Sequence, residues 1–384
     1  MAPNNDAPQT EPVAAQAALI VDDDEEIALL VIREPDLTSI PVDAHELKSS
    51  RNSTSTSITS SILKYHYENG RRYHAYRAGS YLMPNDKQAS EHLDICHRMM
   101  TIAIGNCLHV SPIGKNPERI LDIGTGTGAW AIEIADQYPS AEVLGNDLSA
   151  IQPMIVPQNV KFEIDDVEAD WAFSQPFDLI HSRYMCMSIA DWPRLIRQMH
   201  QNVKPGGWVE LFDCDLKYRS FDGSLKPKHA LYKNEELVIQ GSEKHGRDPC
   251  PGAKLKGWMQ DAGFVNVKEE IIPMPLGTWP KDPKMKEIGA WNLLQFMEGV
   301  EGWTMATLTR LHGWTAEEVK VQLDQVRADV KNKQIHAYFN MHLVYGQRAE
   351  SSALPKMYVC LRKAFFGAGM AAVSRASVED TLSM

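Results

Sequence analysis

From Arg119 onward the chain alternates between short apolar bursts and stretches whose apolar residues recur at helical spacing. RILDI (119–123) reads as a first strand, and a glycine-rich turn follows it. Over 129–138, Trp130, Ile134 and Tyr138 fall on one stripe and Glu133, Asp136 and Gln137 on another, as on an amphipathic helix. Pro139 ends that helix. EVLGND, VKFEID and FDLIHS predict strands two to four, and residues 192–203 predict a helix. A KPGG turn then leads into a fifth strand, WVELFD. This alternation predicts an α/β fold, a mostly parallel, doubly wound sheet of Rossmann-like type. Residues 225–262 read as mainly helical, GFVNVKEEIIPM as a strand, 281–333 as a helical insert and AYFNMHLVYG as the last strand. Thr315 and Glu318 have capping-box spacing, and Val319 and Leu323 begin an apolar stripe behind them. Ahead of the sheet, 90–108 predicts a helix with Leu93, Cys96, Met100 and Ala103 on one face. With the Tyr-, His- and Arg-rich stretch 62–83, it makes an N-terminal helical cap.

The ends lack this patterning. Residues 1–61 contain the acidic run Asp22–Glu26 and the low-complexity stretch SRNSTSTSITSS, and are expected to be disordered, having too little apolar surface to offset ordering entropy. One folded domain is expected over 62–348, and the tail 349–384 has no predicted place in it. The chain has 384 residues, 43% hydrophobic, enough for a large core. A formal charge of −11 argues against a nucleic-acid surface, which needs clustered Lys and Arg. No run of about 18 uncharged apolar residues predicts a membrane span. The six cysteines form no CxxC pair and no signal peptide opens the chain, so reduced thiols and a cytoplasmic protein are expected, with the nucleus as the alternative.

The chemistry centres on RILDIGTGTG. A strand, glycines and a helix start make an anion site, because the glycines admit the ligand close to the backbone and the helix start offers N–H groups. Gly124, Gly126 and Gly128 supply it. Gly124, Gly126 and Ala129 also match the GxGxxA form of a dinucleotide loop, so a nicotinamide-dependent oxidoreductase stays open as an alternative. Asp122, within the strand, disfavours a pyrophosphate and suits S-adenosylmethionine, whose amino-acid end carries an ammonium group. Asp147, ending strand two, is placed to accept from ribose hydroxyls. Asp166, ending strand three, is placed to accept from an adenine amino group, ahead of Asp165.

The segments ENGRRYHAYRAGSYLMPND, ILDIGTGTGAWAIEIADQYPSAEVLGNDLSAIQP, NVKFEIDDVEADW, FDLIHSRYMCMSIADW and VKPGGWVELFD resemble the LaeA-like methyltransferases of fungi. The resemblance runs from about Tyr67 to Gln347. It implies a class I methyltransferase fold, with a seven-stranded sheet whose last pair is antiparallel, and S-adenosylmethionine as methyl donor. It also implies either methylation of a small molecule in secondary metabolism or nuclear regulation of such pathways through protein partners. Two departures stand out. Met154-Ile155-Val156-Pro157 replaces a Trp-Val-Pro-Pro segment common in the family, and Met187 stands where the family often has Gly.

Methyl transfer from a sulfonium is an in-line displacement that works largely by orientation, so a base is needed only when the acceptor must lose a proton. His181 is the candidate base and Arg183 a candidate anchor for an acidic substrate, both after strand four at the carboxyl edge of the sheet. Tyr73 and Tyr81, with His74 and Tyr76 beside them, are candidates to face the cofactor's sulfonium. Trp171 is a candidate to lie against the adenine. Asp213 and Asp215 could share one face after strand five, but no wider ligand cluster accompanies them and no metal is expected. Met285, Trp291, Met297, Trp303, Met305 and Trp314 are candidates to line an apolar acceptor pocket.

Overall fold

A computed structural model describes residues 19–21 and 65–350. The tail beyond Glu350 and all of the N-terminal segment expected to be disordered, Leu19–Val21 apart, lie outside the described residues.

The chain from Tyr65 opens with a hairpin, β1 (His66–Glu68) and β2 (Arg71–Tyr73), and then α1 (Lys87–Ala103). The cap thus contains a hairpin as well as the expected helix. Asn69 and Gly70 both take positive φ, 50° and 77°, as a two-residue hairpin turn requires. α1 starts at Asp86, whose carboxylate accepts from the Ala89 N–H. The same carboxylate pairs with Arg71 at 2.6 Å and so ties hairpin to helix.

The main sheet has seven strands: β3 (Arg119–Ile123), β4 (Glu142–Asp147), β5 (Val160–Ile164), β6 (Phe177–Arg183), β7 (Val203–Arg219), β8 (Val265–Pro275) and β9 (Tyr338–Gln347). Their order is β5-β4-β3-β6-β7-β9-β8. The first five are parallel, and β9 runs antiparallel to both neighbours, β7 and β8. The direction of winding reverses at β3, which pairs with β4 on one side and β6 on the other. Ligands in open α/β sheets bind beyond the strand ends at such a reversal.

β3 is buried on both faces. Leu121 and Ile123 join one core, with Ile180, Val209, Leu211 and Trp192; Ile120 joins another, with Trp130, Ile134, Val143 and Leu179. Period-two alternation therefore feeds two cores. α2 (Ala129–Gln137) covers one face, and α3 (Trp192–Asn202) and α5 (Gly252–Asp261) the other. β7 is longer than WVELFD. The Lys204–Gly207 segment bulges within the ladder rather than ending it, and residues beyond Asp213 continue pairing with β9.

A third core lies under the helical additions α4 (Ala230–Lys244), α6 (Pro283–His312) and α7 (Ala316–Lys331). α6 is a 30-residue helix with Asp282 as N-cap, Pro283 in its first turn, and Gly313 at φ 75° where it ends. The capping box of Thr315 and Glu318 opens α7 as the spacing predicts. Cap and insert meet where α1 packs on α6 and where Arg310 pairs with Glu68 of β1 at 2.5 Å.

Leu19–Val21 adds to this unit. Leu19 is fully buried against Trp279 and Tyr338, and the Ile20 carbonyl accepts from the Lys281 N–H at 2.7 Å.

Candidate functional site

The glycine loop joins β3 to α2 at the sheet's reversal. Gly124, Gly126 and Gly128 take φ of 65°, 58° and 84°, a region that costs L side chains strain. Two of them are also closely approached. A Cβ on Gly124 would lie 2.3 Å from the Met185 sulfur, and one on Gly128 2.4 Å from the Phe162 ring. The loop is braced by Asp147, whose Oδ2 accepts from the Gly126 N–H and whose Oδ1 accepts from the Ser149 N–H, both at 2.9 Å. One of the expected anion-binding N–H groups is therefore taken by the protein itself. Burial pushes the Asp147 carboxyl up to about 6.

A cleft opens above this loop. Gly124, Gly126, Asp147, Asp165, Asp166, Arg183 and Tyr81 line it, so the structure gathers these sequence candidates in one place. Asp166 accepts from the Glu168 N–H and pairs at 3.2 Å with Arg77, which reaches over from the cap. Arg183 contacts Nδ1 of His97, and Nε2 of His97 lies 3.0 Å from Glu133. Burial lowers the Arg183 guanidinium to about 10, still charged at neutral pH. It makes no carboxylate ion pair among the described residues, so its charge is available to a ligand.

Other candidates lie elsewhere. Asp122 does not line the cleft. It is 3% exposed, and its oxygens accept from His181 Nδ1 at 2.8 Å and from the Thr125 hydroxyl at 2.7 Å. It stiffens the loop from below rather than facing a ligand's ammonium group. His181 is likewise outside the cleft, stacked on Trp130 with ring centroids 3.6 Å apart. Burial holds its imidazole well below the ordinary value, hence neutral, and a general base in contact with the acceptor does not fit this position. Tyr73 packs with Leu82 and Ala306 under the Arg310 guanidinium, away from the cleft. Gly128 shapes the turn without lining the cleft. Trp171 donates its indole N–H to the Val167 carbonyl and packs into the core.

Asp213 and Asp215 have separate tasks. Asp213 accepts from the main-chain N–H groups of Met185, Cys186 and Cys214 at 2.6, 3.1 and 2.8 Å, and so holds the loop after β6. Asp215 faces His342 at 3.5 Å and Arg219 at 3.6 Å. Cys186, Asp213 and Cys214 cluster tightly enough to suggest a metal, but three N–H donors already occupy that carboxylate.

A second cavity adjoins the cleft through the shared walls Tyr81, Pro84, Leu93 and Tyr184. Met83 from the cap, Met187, and Gly299 and Trp303 from the insert add to its largely apolar lining, which also includes Arg71, His92 and Glu298. Of the Met and Trp residues marked in the insert, Trp303 lines the described cavities; Met285 and Met305 are core. Tyr184 and Met187 sit at φ 57° and 62°, strained for non-glycine residues. Sequence patterning gave no sign of Tyr184; only its position after strand four pointed toward the site. Of the divergent loop after β4, Ile151 lines the cleft, whereas Met154 and Ile155 are 91% and 84% exposed.

A family model described as a methyltransferase domain matches residues 97–269. The chain is similar to the methyltransferase pytC of Aspergillus terreus, 42% identical over 321 residues, covering 83% of this chain and 98% of that one. It is also similar to the secondary metabolism regulator LAE1 of Cochliobolus heterostrophus, 38% identical over 74% of this chain and 94% of that one. The protein-methionine methyltransferase laeA of Emericella nidulans is 35% identical over 74% of this chain and 77% of its own.

Proposed function

The chain belongs to the fungal methyltransferase family that includes pytC and LaeA, and from that membership we propose that it methylates a small, mainly apolar molecule held in the second cavity. It is an S-adenosylmethionine-dependent methyltransferase, and this sets aside the nicotinamide reading of its glycine loop. The observation that carries the acceptor reading is the shared wall of Tyr81, Pro84, Leu93 and Tyr184 between cleft and cavity. A methyl donor in the cleft meets an acceptor there, and the chemistry is an in-line displacement with water excluded by the aromatic walls.

Within the cleft, Asp147 accepts from the ribose hydroxyls with the acceptor capacity that its main-chain donors leave. Asp166 accepts from the adenine amino group. Arg183 lines the cleft and not the second cavity, so it pairs with the cofactor's own carboxylate rather than with an acidic acceptor. Tyr81 lines both spaces and presents its aromatic face near the sulfonium. His181 positions Asp122 and the glycine loop; orientation supplies the rate.

The names of the regulatory relatives favour a second reading, a protein acceptor in the nucleus. Incubation of the full chain with methyl-labelled S-adenosylmethionine and fungal metabolite extract separates the two. A labelled small product and a cytosolic tagged chain support the first reading. Label found only in protein, with nuclear imaging, overturns it.

A further inference from the structure

α4 lies over the third core with Leu231 and Val238 buried along one stripe. Between them on the same buried side come Asn234 and Glu235, 3% and 7% exposed. An amphipathic helix normally puts apolar residues there, because a buried polar group without a partner loses its hydration and gains nothing in return. Their partners are incomplete. The Asn234 amide donates to the Thr304 hydroxyl at 3.2 Å, yet its carbonyl oxygen has no hydrogen-bond partner. One Glu235 oxygen accepts from the Tyr218 main-chain N–H, and Oε2 has no partner.

Both side chains line a small chamber with room for about one water-sized group, walled otherwise by Leu216, Tyr218, Leu231, Val238, Phe296 and Trp303. Leu216, Tyr218 and Trp303 also line the second cavity, so the chamber adjoins it. No residue lines both the chamber and the cofactor cleft. The chamber therefore lies at the far end of the acceptor space from the point where the methyl group arrives.

We infer that this chamber is a subsite for a hydrogen-bond donor, and that the acceptor is an elongated apolar molecule carrying an amine or hydroxyl at the end opposite its methylated atom. The inference rests on the acceptor reading of the second cavity. Two orphan acceptor oxygens in an apolar chamber call for an N–H or O–H donor, and an apolar ligand would leave both unmatched. Burial pushes the free Glu235 carboxyl up to about 8, so it waits largely protonated and ionises when an ammonium group arrives to pair with it. A hydroxyl would donate to the Asn234 carbonyl oxygen and accept from the protonated Glu235 carboxyl without that change. The cofactor cleft has its own charged partners in Arg183 and Asp147, so the chamber adds selection for the acceptor alone.

Calorimetric titration of the full chain, saturated with S-adenosylhomocysteine, tests this with three probes of equal reach. These are n-octylamine, 1-octanol and octyl methyl ether, which lacks a donor. The amine and alcohol should bind on the order of tenfold more tightly than the ether. Glu235→Leu should remove the amine's preference and leave ether affinity unchanged. Glu235→Gln, which keeps the shape and a polar end, should weaken the amine more than the alcohol, and it serves if the leucine variant does not fold. Equal binding of all three by the wild-type chain, or an amine preference unchanged in Glu235→Leu or Glu235→Gln, overturns the subsite and leaves the acceptor cavity standing. Failure of every probe to bind overturns the cavity reading and the subsite with it.

Discussion

At the scale of single residues, Asp147 braces the glycine loop, and in the proposed reading it also holds the cofactor. Removing the carboxylate in Asp147→Ala deletes charge-assisted acceptors for the ribose and frees the Gly126 and Ser149 N–H groups. Cofactor affinity should fall by about 10- to 100-fold, measured calorimetrically, while Asp165→Ala should change it by much less. Met187 poses a sharper question. Its side chain is 3% exposed in the acceptor cavity, but its φ of 62° is one that favours glycine. Truncation to either Ala or Gly loses the same packing. Only Gly also relieves the backbone, so Met187→Gly should be about 1 kcal/mol more stable than Met187→Ala, the reverse of the usual order. Both variants should accept bulkier substrates, read as product yields over a size series. The sequence marked Met187 as a departure from a common Gly but could not show why. The reason is a cavity wall built by residues far apart in the chain. Asp122 misled for a related reason: its place before the glycines is visible in sequence, but which way a strand residue faces depends on His181 of the neighbouring strand.

At the scale of elements, strands β3 to β6 and helices α2 and α3 follow directly from apolar bursts, stripes and Pro139. The first hairpin carried an Asn-Gly signal at 69–70, obscured because its strands are three residues each and polar. The extent of β7 was hidden by Gly206 and Gly207, which read as a turn and act as a bulge. β9 has a role no pattern reveals. Its His342 is 2% exposed between Glu269 of β8, at 2.9 Å, and Asp215 of β7, at 3.5 Å. The two carboxylates outweigh burial and raise the imidazolium to about 9 from 6.5. A folded-state value above the unfolded one stabilises fully below the unfolded value, and that stability fades as pH rises through the folded one. Unfolding free energy should therefore drop between about pH 6.5 and 9 by up to about 3 kcal/mol. His342→Gln should flatten that slope in urea melts taken across the range.

At the scale of the whole molecule, the sheet's loops line the first cleft, while the cap and insert line the second cavity, which we propose holds the acceptor. The sequence marked cap, Met187 loop and insert separately; their convergence on one cavity was not legible, since it depends on α1 packing against α6. The described unit also includes one element that composition argued against. Leu19 to Val21 end the short apolar stretch VAAQAALIV just before the acidic run Asp22–Glu26, in a segment expected to be disordered, yet Leu19 is buried on Trp279. Burying that leucine contributes about 2 kcal/mol and the Ile20–Lys281 hydrogen bond about 1. Ordering three residues costs about 3 to 6 kcal/mol. The balance is close to zero or slightly unfavourable, so this contact opens far more readily than the core does. Hydrogen exchange at the Lys281 amide, whose acceptor is the Ile20 carbonyl, should be fast beside that of β3. Leu19→Ala should bring it up to the rate of an unprotected amide and leave global unfolding within about 0.5 kcal/mol of wild type. A global loss of several kcal/mol instead would mean that the segment is an integral part of the third core's edge, held by more than these contacts.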